Sequence, residues 1–242
     1  SVNKAIHIMQ QNGCLSDSDV NLLKLAMTAT FKNGKVIPGR YTFKGILTIG
    51  DMVTLITTSS KERKKVTLLE GWSVEQIADE LNKKLHIDTY RFISLSKDFN
   101  FLNSLNVDAP SLEGFLFPDT YIFLSSYTEE QIITIMVNQF FYNYKKYIKP
   151  LKGHASLSIR EIATLASIIQ GEAMHDDEMP IISSVYHNRL KRKMLLQADP
   201  TIQYITPGKN RRLYNKHLRV DDPYNTYKYK GLPPGPINNP GL

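Results

Sequence analysis

Residues Ser158 to Glu172 read Ser-Ile-Arg-Glu-Ile-Ala-Thr-Leu-Ala-Ser-Ile-Ile-Gln-Gly-Glu, and this stretch predicts the central helix of the fold. Ser158 and Glu161 have the spacing of a capping box, in which a hydroxyl and a carboxylate satisfy free backbone amides at a helix start. The positions that follow are apolar on nearly every side of a helix. Because such helices are usually buried within a domain, we expect this one in the middle of the core.

Glu172, at the end of this helix, is the candidate for chemistry. Burial disfavours a carboxylate and the negative end of the helix dipole repels it, so both effects raise the pKa of such a group. A carboxyl that stays protonated near neutral pH suits a general acid that protonates a glycosidic oxygen. Position alone also fits an ordinary exposed glutamate at a helix end, and that interpretation stays open. Glu161 is assigned to the capping box only.

The chain after this helix predicts a second helix and then a long ordered tail. Pro180 is a favoured first-turn residue, and the acidic run 176–178 before it is interpreted as an N-cap with first-turn charges. From Gln197 onward the chain is rich in Pro, Gly, Asn and Tyr, and long loops in compact domains tend to be functional. Residues 199–201 and 221–223 are predicted as turns.

The first two thirds of the chain predict a mixture of helices and short strands. Ser73 and Gln76 fit a second capping box, and the segments around residues 48 and 73 look like two strand–turn–helix units. Residues 112–121, dense in aromatics, Gly and Pro, predict a structured loop or short strand. The predicted helices are 17–30, 48–56, 73–81 and 129–147, with helix and loop across 88–110. Residues 36–43 predict a turn that leads into a strand, and residues 66–69 predict a short strand.

Composition bounds the class of protein. The 242 residues are enough for one large domain or two to three small ones, and the apolar content of 42% predicts a packed core. The net charge of +7 favours an anionic partner such as nucleic acid, a membrane surface or an acidic polymer, and a plain solvated basic surface explains it equally well. Cys14 is the only cysteine, which excludes an intramolecular disulfide.

Several chemistries lack their motifs. No two of the six histidines lie four positions apart, as they do in helical zinc motifs, which argues against a metal site. The sequence contains no Gly-rich phosphate loop and no nucleophile-elbow serine. No nucleic-acid-binding motif supports the positive charge, so we expect no nucleic-acid partner.

The two ends of the sequence are interpreted as cuts through a longer chain. No apolar run reaches the roughly 18–20 residues of a membrane span, and no signal peptide is visible. The chain starts at Ser1 without a methionine and stops just after a Pro-rich turn. We therefore expect a piece of a longer protein, cut at both ends, with room for a membrane anchor before Ser1.

Six motifs in fixed order carry a family resemblance. They are Glu113-Gly114-Phe115-Leu116-Phe117-Pro118-Asp119-Thr120-Tyr121, Ala166-Ser167-Ile168-Ile169-Gln170-Gly171-Glu172, Asn188-Arg189-Leu190, Met194 to Thr201, Tyr224-Asn225-Thr226-Tyr227 and Gly231 to Ile237. Together they resemble the endolytic murein transglycosylases of the MltG (YceG-like) family. Val36 to Phe43 and Glu70 to Ser73 are similar to the N-terminal region of that family, so the resemblance covers nearly the whole chain.

The resemblance implies a lytic transglycosylase that cleaves the MurNAc–GlcNAc β-1,4 bond and leaves a 1,6-anhydroMurNAc end, with no cofactor. The family motif is commonly written Ala-Ser-Ile-Val-Glu-Lys-Glu-Thr, and Glu172 matches its second glutamate, the general acid/base. Gln170 replaces the first glutamate and Ala173 the threonine. The change at Gln170 removes the rival carboxylate and leaves the local tuning of the Glu172 pKa open.

The family also implies further site residues and a domain plan. A group of polar side chains is expected to line or shape the cleft, each with a structural role as the alternative: Asn188, Gln197, Asp199, Thr201, Tyr224, Asn225, Thr226 and Tyr227. The expected fold class is α+β, with a LysM-like N-terminal α/β module before a mainly helical catalytic domain with long ordered loops. The regions are 1–65, LysM-like; 66–155, connecting; and 156–242, catalytic and truncated.

Partners and location follow from the same resemblance. The expected partners are peptidoglycan glycan strands and the peptidoglycan synthases known as penicillin-binding proteins. A single-pass anchor in the inner membrane, with the catalytic part on the periplasmic side, is expected upstream of Ser1. Two rival interpretations are a peptidoglycan-binding module without catalysis and a hydrolytic muramidase, which uses a second carboxylate.

Overall fold

Short helices and a two-stranded sheet make up the part of the chain that the structure, a computed structural model, describes: residues 2–11, 13, 15–30, 36, 48–57, 63–151, 157–206 and 213–242. The α+β prediction is confirmed at this level. Contacts divide the chain into two compact units, residues 1–64 with 122–128 and residues 65–121 with 129–242. The three-region division at 65/66 and 155/156 stays a prediction.

Three helices dominate the described part of the first unit: α1 (Val2–Gln11), α2 (Asp17–Ala29) and α3 (Ile49–Thr57). Ser16 caps α2 through a capping box with Asp19, and α2 packs against α3. Their shared core is apolar and consists of Ile6, Met9, Leu15, Val20, Leu23, Met27, Val53 and Ile56. The strand predicted at 36–43 lies outside the described residues except for Val36.

The sheet pairs β1 (Arg63–Thr67) with β2 (Thr120–Leu124). The strand predicted at 66–69 therefore starts three residues earlier and ends two residues earlier. Pairing continues just past its end, because the Leu68 amide donates to the Asp119 carbonyl at 3.0 Å. Residues 112–119 form turns that lead into β2, as the density of Gly, Pro and aromatics predicts.

The second unit contains the remaining helices of the described residues. They are α4 (Val74–Leu85), α5 (Thr89–Leu95), α6 (Phe99–Ser104), α7 (Glu129–Asn143), α8 (Ile159–Glu172), α9 (Met179–Lys191) and α10 (Asp199–Ile205). A π-helical turn at Tyr144–Ile148 extends α7, and short 3₁₀ turns lie at Asp176–Glu178 and His217–Arg219. The predicted capping boxes at Ser73 and Ser158 are both present, and Pro180 lies in the first turn of α9.

Helices α9 and α10 both pack against α8. A capping box closes the start of α8. The Ser158 amide donates to the Glu161 carboxylate at 2.8 Å, and the Ser158 hydroxyl accepts from the Glu161 amide at 3.2 Å. Leu165 and Ile168 belong to a core cluster with Tyr186, Leu196, Ala198 and Ile237. The helix is buried on this side, whereas Ile159, Ile162 and Ile169 are half-buried.

The C-terminal tail, residues 213–242, is held in place by the fully buried side chain of Asn239. The Asn239 carbonyl oxygen Oδ1 accepts from the amides of Gly114 and Leu116 at 2.9 and 3.0 Å. Its Nδ2 donates to the Trp72 carbonyl and to the Glu113 carboxylate, at 2.9 and 2.8 Å. Three segments distant in sequence therefore meet at one side chain.

Gly114 makes this junction sterically feasible. Its φ of +82° lies in the left-handed region, and a Cβ there would lie 2.4 Å from Pro236. Glu113 is 4% exposed and accepts from the Val74 amide at the start of α4. The Glu113-Gly114 motif thus has a structural role that joins the tail to the start of α4.

Candidate functional site

Glu172 is the last residue of α8, and the chain turns away at Ala173, whose backbone is extended. Glu172 is exposed to solvent, so a large substrate has access to it. Its electrostatic neighbours come from three other elements: Tyr186 and Arg189 of α9, Asp199 at the start of α10, and Tyr227 of the tail. A single carboxyl group thus lies where two helix ends and the tail meet.

The pKa of Glu172 is raised above its usual value. Partial burial of the carboxyl group is the main cause, although the residue as a whole stays exposed, and the negative charge of Asp199 adds to it. A hydrogen bond with Tyr186 and the positive charge of Arg189 act in the opposite direction. The direction is the predicted one, and Asp199 is a cause that the helix-dipole argument did not include.

Asp199 begins α10, where a turn had been predicted at residues 199–201, and that prediction is wrong. Pro200 lies in the first helical turn, where its missing N–H costs nothing, and both Pro200 and Thr201 are buried. The Tyr227 hydroxyl donates to Asp199 Oδ1. Burial first, and then this contact, raise the pKa of Tyr227 to about 12, so its hydroxyl keeps the proton that it donates.

Two predicted threonines are buried and join α10 to the tail. The hydroxyls of Thr201 and Thr226 lie 2.9 Å apart, and the Ala198 amide donates to Thr226 at 2.9 Å. Thr201 and Thr226 are 0% and 2% exposed. Their side chains therefore hold the tail against the start of α10.

Asn225 is also fully buried, and its Nδ2 donates to the carbonyls of Leu218 and Val220 at 3.0 and 2.7 Å. Its Oδ1 accepts from the Tyr227 amide at 2.9 Å. Asn225 thus orders the loop that carries Tyr227.

The other predicted residues reach solvent. Asn188 and Gln197 are exposed, and the Gln197 backbone has a left-handed φ of 50°. Tyr224 is half-buried, with its ring centroid 5.0 Å from that of Tyr204. Of the predicted residues, Asp199 and Tyr227 are the two that interact electrostatically with Glu172. Contact of any of these residues with substrate stays a prediction.

Sequence reasoning missed two neighbours of Glu172. Tyr186 is 4% exposed, and its hydroxyl is hydrogen-bonded to Glu172, while burial raises its own pKa. In the sequence it is one of the apolar positions of the predicted second helix, with Ile182 and Leu190. Arg189 donates to the Leu196 carbonyl and so holds the segment before Asp199. The Asn188-Arg189-Leu190 motif was the signal for Arg189, because it pointed to this turn of the helix.

Gln170, which replaces the first glutamate of the family motif, forms a hydrogen bond with the tail. Its side-chain Oε1 accepts from the Gly241 amide at 3.1 Å. Ser167 of the same motif accepts from the Ile237 amide at 3.0 Å. Both side chains therefore bind the tail on the side of α8 that does not carry Glu172.

A cavity of about 720 Å³ lies beside this site, between α4, the end of α8, α10 and the tail. In the described residues, no group of three His, Cys, Asp or Glu side chains is arranged to hold a metal ion. Among the helices described, none has the length and apolar character that crossing a membrane demands.

Known proteins resemble this chain in sequence and in structure. An endolytic murein transglycosylase from Bacillus subtilis is 36% identical over 196 residues, which cover 74% of this chain and 53% of the relative. Another from Streptococcus pneumoniae serotype 2 is 30% identical over 202 residues, covering 73% of this chain and 36% of the relative. The chain therefore spans about half, or less, of the length of these curated relatives.

A solved structure and a family model complete the comparison. The crystal structure of a yceG-like protein from Listeria monocytogenes aligns with a TM-score of 0.67 and 29% identity, covering 100% of this chain and 83% of that one. The model of the YceG-like family matches residues 1–242, the whole chain. The resemblance drawn from the motifs is thereby confirmed, and this chain belongs to the YceG-like family.

Proposed function

We propose that this protein cuts glycan strands of peptidoglycan as an endolytic lytic transglycosylase, with Glu172 as its general acid and then its general base. The observation that carries the proposal is a solvent-accessible carboxyl group whose pKa is raised by burial and by Asp199. Such a group is protonated over a wider pH range than an ordinary glutamate, as an acid catalyst requires. The names of the related enzymes support the substrate class.

The reaction needs one carboxyl group. Glu172 gives its proton to the glycosidic oxygen as the bond from MurNAc C1 to that oxygen breaks. The C6 hydroxyl of the same MurNAc then attacks C1 and returns its proton to the Glu172 carboxylate. The product is a 1,6-anhydro ring, and the enzyme ends in its starting protonation state without using water. The attack is intramolecular, so it benefits from a high effective concentration of the nucleophile.

Asp199 supplies negative charge during this sequence. Positive charge develops at C1 as the bond breaks, and a carboxylate held nearby stabilises it. The hydrogen bond from the Tyr227 hydroxyl orients the Asp199 carboxylate. Asp199 also raises the pKa of Glu172, so the same charge helps the acid to retain its proton before the first step.

A hydrolytic muramidase is the second candidate, and Asp199 is the observation that favours it. A hydrolase pairs its acid with a second carboxylate that activates water or forms a covalent intermediate. Asp199 is close enough to raise the pKa of Glu172. The two reactions give different products, since hydrolysis adds one water and transglycosylation adds none.

The test is incubation of the protein with uncrosslinked peptidoglycan strands, followed by mass spectrometry of the fragments. We expect anhydro fragments, lighter than hydrolytic ones by the mass of one water. Glu172→Gln should lower the rate by about a hundredfold to ten-thousandfold, because a general acid contributes that much. Glu161→Gln, which changes a carboxylate at the far end of the same helix, is the matched control and should stay active.

Other products would lead to other conclusions. Fragments of hydrolytic mass, absent with Asp199→Asn, would establish the muramidase. Strand binding without cleavage by the wild-type protein would establish a peptidoglycan-binding module that lacks catalysis.

The finer features of the whole protein belong to the same proposal. We infer a LysM-like, glycan-gripping role for the N-terminal region, supported by the α2–α3 helix pair packed around its own apolar core. Penicillin-binding proteins as partners and a single-pass anchor in the inner membrane, with the catalytic part on the periplasmic side, rest on the family resemblance. Cross-linking and fractionation of cells that express the full-length protein test both.

A further inference from the structure

The cavity described above lies close to Glu172 and Asp199. Gly171 and Pro200 line it, and they are the chain neighbours of Glu172 and Asp199. The wall of the cavity therefore includes residues directly adjacent in sequence to both Glu172 and Asp199. Its volume of about 720 Å³ falls within the roughly 300–1,000 Å³ of sites that hold small molecules or peptide segments.

The charge of the lining opposes the charge of the chain. Glu75, in the first turn of α4, and Asp222 of the tail both line the cavity. Of the described residues that form its wall, none is Lys, Arg or His. Since the whole chain carries a net charge of +7, a wall with two carboxylates marks a local preference for a cation.

Two tyrosines line the cavity together with the carboxylates. The rings of Tyr204 and Tyr224 have centroids 5.0 Å apart and planes tilted by 43°. Such rings offer an apolar face to an aliphatic chain and attract a cation placed over them. Carboxylates beside aromatic faces therefore fit an ammonium group on a short aliphatic stem.

Asn238 adds a hydrogen-bond acceptor that the protein does not use. Asn238 lines the cavity and is 8% exposed. Its Nδ2 donates to the Ser167 carbonyl at 2.8 Å, which fixes the orientation of the amide. Its Oδ1 is buried and accepts no hydrogen bond from the residues that the structure describes. Because buried polar atoms are normally hydrogen-bonded, we expect this oxygen to accept a hydrogen bond from a ligand. A peptide N–H is a suitable donor.

We propose that this cavity is a subsite for a short peptide that carries a primary amine, branching from the glycan strand. The inference rests on the proposed function for its substrate class. In peptidoglycan the peptide is attached to MurNAc, the sugar whose C1 reacts, so it must lie close to the acid. The protonated amine interacts with Glu75 and Asp222, and the aliphatic stem lies against the tyrosine rings.

The test compares two ligands on an inactive protein. Glycan strands with free peptide amines, and the same strands N-acetylated with acetic anhydride, are titrated against the Glu172→Gln chain. We expect the acetylated strands to bind about threefold to tenfold more weakly at low salt, the range for partly exposed ion pairs and cation–π contacts. The net charge of +7 favours the less cationic ligand, so non-specific attraction cannot produce this preference.

Charge-neutral variants locate the preference. Glu75→Gln with Asp222→Asn, in the Glu172→Gln background, should bring the affinity ratio close to one. Asparagine at 222 keeps the oxygen that accepts from the Tyr224 amide at 2.8 Å, so the local turn is preserved. Asp79→Asn removes an exposed carboxylate one turn further along α4, outside the cavity lining, and should leave the ratio unchanged.

Equal binding of the two ligands, or an unchanged ratio in the double variant, would overturn the subsite. The product analysis with the wild-type protein reports separately on the proposed function. Cleavage without any amine preference removes the subsite alone. Amine preference without cleavage supports the subsite and removes the lytic activity.

Discussion

At the scale of single residues, the environment of Glu172 contains opposing influences on one proton. Burial and Asp199 favour the protonated carboxyl, whereas Tyr186 and Arg189 favour the carboxylate. This balance suits a group that must first give a proton and then take one back, since both protonation states are used in each cycle. The opposing influences are separable by substitution.

We expect Asp199→Asn and Tyr186→Phe to shift the pH profile in opposite directions. In the proposed mechanism, activity requires protonated Glu172, so kcat/KM falls as pH rises through its pKa. Loss of the Asp199 charge lowers that pKa and moves the alkaline limb to lower pH, whereas loss of the Tyr186 hydrogen bond raises it and moves the limb to higher pH. The measurement is kcat/KM on glycan strands as a function of pH.

Matched substitutions away from the site serve as controls. Asp221→Asn and Tyr229→Phe disrupt a hydrogen-bonded pair between exposed residues of the tail, and neither should move the profile. Shifts of the same sign for Asp199→Asn and Tyr186→Phe would contradict the assignment of Glu172 as the titrating acid.

At the scale of elements, the site depends on how closely α8 approaches α10. Gly171 lies where the two helices meet, and a Cβ there would lie 2.8 Å from Pro200 Cβ. A glycine inside a helix usually costs stability, so its presence here is explained by this approach. The contact sets the position of Asp199 relative to Glu172, because each is the chain neighbour of a contacting residue.

Gly171→Ala should therefore destabilise the protein in spite of the higher helix propensity of alanine. Overpacking costs about 1–3 kcal/mol and the propensity gain is about 1 kcal/mol, so the free energy of unfolding should fall by up to about 2 kcal/mol. Urea denaturation measures this change. Gly50→Ala in α3 is the control, since its Cβ meets only an ordinary contact at 3.7 Å, and it should be neutral or stabilising. A Gly171→Ala protein more stable than the wild type by the full propensity gain of about 1 kcal/mol would contradict the close approach.

At the scale of the whole molecule, the tail is part of the folded second unit. Asn239 joins the tail to residues 72 and 113–116. All of these residues lie more than 120 positions earlier in the sequence. Ser167 and Gln170 bind the tail to α8. Tyr227 and Tyr224 are carried by this tail, so the order of the site depends on these long-range contacts.

Asn239→Ala should destabilise the second unit strongly. It removes four side-chain hydrogen bonds and leaves two buried amides and the Glu113 carboxylate short of a partner. Unsatisfied buried groups cost about 1–3 kcal/mol each, so we expect a loss of at least about 2 kcal/mol in the free energy of unfolding. Limited proteolysis should show faster cleavage of the tail.

Asn103→Ala, at an exposed position of α6, controls for the change of residue type and should alter stability by less than about 0.5 kcal/mol. Wild-type proteolysis rates for Asn239→Ala would show that the tail is held by other contacts.

The sequence by itself determined what depends on neighbours a few positions apart. The capping boxes at Ser73 and Ser158, the start of α9 near Pro180 and the location of Glu172 at a helix end were all predicted, because capping and apolar periodicity act within one or two turns. The family motifs also led to the YceG-like family. These predictions needed no knowledge of which segments meet.

Only the tertiary structure decided what depends on packing between distant segments. Residues 199–201 were predicted as a turn from their turn-forming residue types, but they begin helix α10. Seven residues are too few for a stable isolated helix, and this one is stabilised by packing against α8. The hydrogen bond between Tyr186 and Glu172 forms only once α8 and α9 are packed together, so no local pattern predicts it. The Asp199 charge beside Glu172 likewise depends on how the chain folds back across 27 positions, which local chemistry does not determine.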